Sequence, residues 1–339
     1  MLPLNIYLPY LLRTEHRSLG DTFAFFVLLI ASFLLSTYST TWLQSWPARP
    51  GTGREPPTAP YSIPYFQHLF SFLWDPRWTF QSNQARYGSS PFTLKMNNHK
   101  FHVFQSAATA SHIFSRSRAF TFDPVMASMM ENAMDLPLED RPMFQIPMHK
   151  ANRHQTEKDN FISANHRIWL KYLSGKQLDA VMDVYMRNLD QMLEEHLDLQ
   201  EGGWIKVEFH ELMRRLIFET SATTFFGTSV RKEWSTMWDD WRAFDAQTYA
   251  GVRTNMAYRL WPRAGRARER MLKVYEKWVD RELTDWPEEA GMWKEEWGIR
   301  MSWERETLAR RFGFSLRGRA CLHASFLFVA TDQGSQTIN

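Results

Sequence analysis

FSLRGRACLHASFLFVATDQG, residues 314–334, admits two readings, and the fold differs with the choice. Its first ten residues hold Cys321, the only cysteine of the chain, with Arg319 two residues and Phe314 seven residues before it. As a loop, this segment would present a thiolate. As a helix, RACLHASFLFVATDQGSQTIN is the last apolar helix of a helical body, running to Asn339. One segment cannot do both, so the surrounding sequence decides.

That sequence is rich in material for a core. Of 339 residues, 44% are hydrophobic and 15% aromatic, enough for one large domain or two small ones. Basic side chains number 40 and acidic ones 37, a net charge of +3 without a long like-charge run, so no nucleic-acid partner is expected. A single cysteine excludes an internal disulfide and a paired-cysteine zinc site. The absence of an Asn-x-Ser/Thr sequon fits a body facing the cytosol.

Residues 1–21 precede an uncharged stretch, TFAFFVLLIASFLLSTYSTTW, over residues 22–42. About twenty apolar residues span a bilayer core as a helix. A transmembrane anchor is therefore expected here, with Tyr38 and Trp42 at an interface. A cleaved signal peptide is the competing reading, but the run is long and no small-x-small site follows it. Arg13 and Arg17 on one side and Arg49 and Arg54 on the other leave the orientation open. Residues 43–60 contain Pro47, Pro50, Pro56, Pro57 and Pro60, which stiffen the chain into an extended hinge.

From residue 61 to 339 a mainly helical body with a small N-terminal β-hairpin is expected. FQHLFSFLWDPRWTFQSNQARYG (66–88) reads as two short helices broken at Asp75-Pro76 and ended by Gly88. FTLKM, Asn97-Asn98 and FHVF read as the hairpin, with Phe92, Leu94 and Met96 alternating. Residues 107–118 read as a helix, and residues 119–159 as an irregular, apolar loop. Leu178, Val181, Met182, Tyr185, Leu189 and Leu193 make a helical stripe that ends by Gly202-Gly203. Phe209, Leu212, Met213, Leu216 and Ile217 make a second, up to Gly227. Residues 233–249 and 266–283 follow as helices, and residues 284–311 read as a surface connection.

This order resembles the N-terminal two thirds of a membrane-bound cytochrome P-450, a haem-thiolate monooxygenase, in the style of the fungal and sterol-hydroxylase-like branches. NHRIWLKYLSGKQLDAVMDVYMRNLDQML (165–193) resembles the family's C and D helices. FHELMRRLIFETSATTFFG (209–227) is similar to its E helix and WDDWRAFDAQTY (238–249) to its F helix. ASFLFVATDQGSQT (324–337) is similar to the start of its I helix, which crosses the distal face of the haem.

The resemblance implies haem b as cofactor, a lipophilic small-molecule substrate, an NADPH-dependent reductase and an endoplasmic reticulum membrane, with the single-pass chain's soluble part cytosolic. It implies haem-propionate contacts at His166, Arg167, Trp169 and Lys171, although their spacing departs from the family's. It places Ala330 and Gly334 against the haem, and gives Thr331, Ser335 and Thr337 the handling of oxygen. Asp332 precedes Gln333 where the family has an acidic-threonine pair, which puts proton delivery in doubt. Phe120, Phe122, Met126, Met129 and Met130, with Trp241, Phe244 and Tyr249, would line the substrate pocket.

The family's thiolate loop is Phe-x-x-Gly-x-Arg-x-Cys-x-Gly, with glycines turning the backbone beneath the iron. Arg317 and His323 stand where those glycines belong, so Cys321 is expected to be a buried thiol rather than the iron ligand. The K-helix Glu-x-x-Arg finds a counterpart only at Glu211 and Arg214, which read as a solvated helix face, with Glu211 in reach of Arg215. The chain is thus expected to be a truncated, catalytically incomplete form. A complete haem enzyme using Cys321, and a non-catalytic membrane-anchored binding protein, are the alternatives. His149, His154 and His166 do not have metal-ligand spacing, and no nucleophile elbow or phosphate loop is present.

Overall fold

The computed structural model of the chain describes residues 24–33, 35, 39, 55–61, 66–96, 99–115, 122–145, 160–197, 206–253 and 255–336. Of these, the side chains at 73, 249, 250, 253, 288 and 332–336 lie outside the description. The chain divides into two compact units, residues 1–116 and 117–339, so the body expected from residue 61 onward contributes to both.

In the first unit, residues 24–33 are helical and expose Phe26, Leu28, Ile30 and their apolar neighbours. Among the described residues no helix is long and apolar enough to cross a membrane. Most of the rest of the expected anchor, residues 22–42, lies outside the described residues. The breaker at Asp75-Pro76 works as read. Helix α1 (Leu69–Trp74) stops there and α2 (Pro76–Tyr87) begins, with Asp75 accepting from the Trp78 N–H and Pro76 at the first helical position. Strands β1 (Phe92–Met96) and β2 (His99–Val103) form the expected antiparallel hairpin, pairing Phe92 with Val103 and Met96 with His99, with Phe92, Leu94 and Met96 buried. Helix α3 (Ala107–Phe114) follows, capped by Ser106.

The second unit is almost wholly helical. The segment expected as an irregular loop contains α4 (Asp123–Ser128), a π turn (Met129–Ala133) and α5 (Pro142–Gln145). Then come α6 (Phe161–Tyr172), α7 (Gly175–Leu197), α8 (Phe209–Phe226), α9 (Thr228–Glu233), α10 (Met237–Asp245), α11 (Thr248–Arg253), α12 (Met256–Leu260) and α13 (Pro262–Val279). The short hairpin β3 (Trp293–Lys294) and β4 (Gly298–Ile299) leads into α14 (Arg300–Arg311) and α15 (Leu316–Gln336). Helix α13 packs against α10 and α15, α8 against α7 and α15, and α14 against α6.

Three sequence expectations need correction here. The buried residues of α7 are Val181, Val184, Asn188 and Met192; Leu178, Tyr185, Leu189 and Leu193 of the expected stripe are half-buried, and Met182 is exposed. The buried face also holds a polar pair that apolar periodicity does not show: Asn188 Nδ2 donates to Thr224 Oγ1 of α8. Residues 284–311 are no surface connection, for Trp286, Trp297, Ile299, Met301, Leu308 and Ala309 are core residues. Glu211 pairs with Arg242 and accepts from Trp238 Nε1, while Arg215 pairs with Glu219 instead.

Helix α13 and the β3–β4 hairpin together cover the end of α8. Helix α8 ends at Gly227, whose φ of +79° only glycine adopts readily, and a Cβ there would sit 2.0 Å from Glu295 O. In its last turn Thr223 O accepts from the Gly227 N–H, while Phe226 O lies past the last helical donor. Trp278 Nε1 donates to Phe226 O at 2.9 Å and Trp293 Nε1 to Thr223 O at 3.2 Å.

A carboxylate fixes the three C-terminal helices. Glu306, fully buried on α14, accepts from Arg310 Nε at 2.7 Å, from Arg319 and from His323 Nε2 at 3.1 Å. Arg310 and Arg319 also donate to Val279 O, the open C-terminus of α13. Burial raises the Glu306 carboxyl, but the His323 hydrogen bond and the two arginines outweigh it and hold the group below its ordinary value. Burial drives His323 down from 6.5 to about 4. The unfolded chain therefore takes up a proton between about pH 6.5 and 4 that the folded chain refuses. Stability is full above that window and falls through it, and Glu306 adds a further loss as it protonates below its ordinary range. We expect the melting temperature to fall as pH drops from about 6.5 to 4, and His323→Asn to flatten that fall; an unchanged slope in a thermal-melt series would refute the assignment.

Candidate functional site

Where α4, the π turn, α6, α14 and α15 meet, they enclose a cavity of about 320 Å³. Phe122, Met126, Met129 and Met130 form one wall, with Phe144 and Phe161 beside it. The local fold explains the methionines: the π turn closes from Met134 N–H to Met129 O, and its extra residue turns both Met129 and Met130 inward. Helix α6 supplies Ile162, Asn165, His166 and Trp169, its N-terminus fixed by Asn160 accepting from the Ser163 N–H. Helix α15 supplies Leu322, Ser325, Phe326 and Val329, and α14 supplies Arg305.

Several of the residues expected to act together are brought together. Phe122, Met126, Met129 and Met130 share the cavity with His166 and Trp169. Others are placed elsewhere. Trp241 and Phe244 lie in the core of α10, where Trp241 stacks on Phe218 at 4.7 Å and Phe244 on Tyr258 at 5.7 Å. Their burial follows from the packing of α10 on α13 rather than from a pocket. Arg167 and Lys171 are exposed and do not line the cavity, and Lys171 pairs with Glu304 at 2.6 Å.

On α15 the cavity wall ends at Val329. Thr331 is buried but bonds back to Leu327 O at 2.8 Å, an ordinary helical satisfaction of a hydroxyl. Ala330 is half-buried and packs against the core. Gly334 and Ser335 continue the helix without described side chains, Tyr249 is helical without one, and Phe120 and Thr337 lie outside the described residues.

Sequence reasoning missed Arg305. It is 5% exposed, and its guanidinium lies 4.5 Å from the Phe326 ring centroid and 5.5 Å from that of Trp169. Its Nε donates to Asn165 Oδ1 at 3.0 Å and its Nη2 to Leu322 O at 3.2 Å. Its Nη1 is buried with no hydrogen-bond partner among the described residues, and so is Trp169 Nε1. Burial pushes the guanidinium down from 12.5 to about 9, against the pull of Glu306 and Tyr275. A signal was present: Met301, Arg305, Leu308 and Ala309 fall at helical spacing on the buried face of α14.

The quoted segment proves to be helix, and its suggestive residues all have structural partners. Ser315 immediately precedes α15, its Oγ accepting from the Gly318 N–H and donating to Asp140. Phe314 packs with Phe144 and Phe161. Arg317 bridges Glu269 and Glu276 of α13, while Arg319 and His323 hold Glu306. Cys321 is fully buried, its Sγ donates to Met134 O at 3.1 Å, and burial pushes the thiol up to about 12. A protonated thiol inside a helix, off the cavity wall, does not fit a haem iron, which takes a thiolate. No step through haem is assigned to these residues. Among the described residues no group of His, Cys, Asp and Glu is arranged to hold a metal ion, and His149 and His154 lie outside them.

No protein-family model matches this chain, and no curated protein is significantly similar to it.

In the folded chain Cys321 is expected to resist a thiol-reactive maleimide and to label only on unfolding. When haem is supplied and the chain is reduced under carbon monoxide, no thiolate-type red-shifted Soret band is expected, and Cys321→Ala should change nothing. Such a band, lost in the variant, would overturn the placement of Cys321.

Proposed function

We propose that the chain is a cytochrome P-450-like body whose cavity binds a lipophilic small molecule, and that residues 22–42 hold it at the endoplasmic reticulum membrane. The observation that carries the reading is the cavity itself: the Met-rich turn, the C-helix-like α6 and the I-helix-like α15 converge on one apolar space. A Met-aromatic wall adapts to ligand shape at little cost, as apolar binding sites require. In the family, haem and a reductase would oxidise such a ligand. Here the only cysteine is occupied in the core, so binding rather than turnover is the proposed activity of these 339 residues.

Filling the cavity tests this. Val329→Trp should weaken binding of a neutral lipophilic probe, 1-dodecanol, by about tenfold or more while the chain stays folded, since overpacking costs only about 1–3 kcal/mol. Unchanged affinity in equilibrium dialysis would place any binding elsewhere.

A further inference from the structure

The cavity is apolar apart from a few groups, and the most buried of these is a cation. Arg305 is 5% exposed and forms no ion pair among the described residues. The adjacent Glu306 is already taken by Arg310, Arg319 and His323, so it is not a free counter-charge. Two of the three guanidinium nitrogens are satisfied, by Asn165 and by Leu322 O, and both acceptors are neutral. The third, Nη1, and the neighbouring Trp169 Nε1 are buried donors without acceptors, on two residues of the same cavity wall.

A buried charge without a partner is among the costliest features a core can hold, and unpaired buried donors add to the cost. Stacking against Trp169 and Phe326 offsets part of it. A ligand that brings an anion with at least two acceptor oxygens would offset the rest. A carboxylate brings two acceptor oxygens and the matching charge for such donors, and the apolar remainder of the cavity takes a hydrocarbon frame. Asp123, also on the cavity wall, would oppose an anion placed near it, so the charged end belongs at Arg305 and the chain extends toward the methionine wall.

We infer that the cavity is a site for a lipophilic carboxylic acid, its carboxylate held by Arg305 and Trp169 and its hydrocarbon part by the Met-aromatic wall. The inference rests on the lipophilic-cavity reading and adds the ligand's charge to it.

The test compares dodecanoate with 1-dodecanol on the full chain, by equilibrium dialysis at mildly alkaline pH. Dodecanoate is expected to bind about tenfold tighter or more, the usual margin of a charge-assisted hydrogen bond. Arg305→Met keeps the volume and the stem. It is expected to abolish that preference, weakening dodecanoate about tenfold while 1-dodecanol stays within about twofold. If Arg305→Met does not fold, Trp169→Phe keeps the ring and removes the donor, and the preference should narrow about threefold. Equal binding of acid and alcohol by the unaltered chain would overturn the acid inference and leave the lipophilic cavity standing. Binding of neither would remove both. A preference that survives in the variants would overturn the role of Arg305 and Trp169. Haemin, which carries carboxylates of its own, is a separate arm; uptake of haemin with no binding of dodecanoate would assign the carboxylate to a porphyrin and reject the inference.

Discussion

One buried carboxylate organises the second unit. Glu306 lies on α14, His323 and Arg319 on α15, and the two arginines that bind it also close the end of α13. Three helices are thereby held in one relative arrangement, because a fully buried carboxylate must keep its donors. Breaking such an assembly by removing one partner typically costs about 3–5 kcal/mol, since the remaining charge stays buried. The cavity depends on this in turn. Its α14 and α15 walls, Arg305 and residues Leu322 to Val329, belong to the elements that Glu306 clamps.

The residues that suggested a thiolate loop belong to that clamp. Phe, Arg and Cys at the spacing of a haem loop are here an aromatic contact, a helix-end cap and a buried thiol. Arg317 and His323, which stand in place of the loop's glycines, engage α13 and Glu306. They carry the packing of a helix, and a loop at the same position would leave Glu306 without two of its donors. The half-spelled motif and the helix are therefore mutually exclusive on physical grounds, which closes the choice that residues 314–334 posed.

Local chemistry was legible in the sequence wherever one or two residues settle the backbone. Asp75-Pro76 stops one helix and starts the next, and the alternation of Phe92, Leu94 and Met96 sets the hairpin's buried face. The Met-rich segment was legible as apolar in its residue types and as a pocket wall only through the resemblance, and the π turn that shapes it was not legible. What stayed hidden was decided by tertiary partners. Asn188 lies buried on α7 with Thr224 as its partner, and no periodicity of apolar residues reports that. Residues 284–311 look like surface because their charges are many. Yet Glu306 and Arg305 are buried there, and the tryptophans of the preceding hairpin are spent on the carbonyls of α8 and the core. Trp241 and Phe244 have the composition of a pocket and the position of a core.

Arg305 and Glu306 are adjacent on one helix, both buried, and opposite in how they are satisfied. Glu306 accepts hydrogen bonds from three side chains, two of them charged arginines, so its burial is explained by the fold alone. Arg305 has neutral acceptors on two nitrogens and nothing on the third, and burial lowers its hold on its proton. A methionine or leucine there would fill similar space without the desolvation cost, so the fold by itself gives no reason for an arginine. Sites that break a local rule in an otherwise consistent core are where function is to be sought. The rule broken here is electrostatic, the residue that breaks it lines a cavity, and the sign of its charge suits an anion.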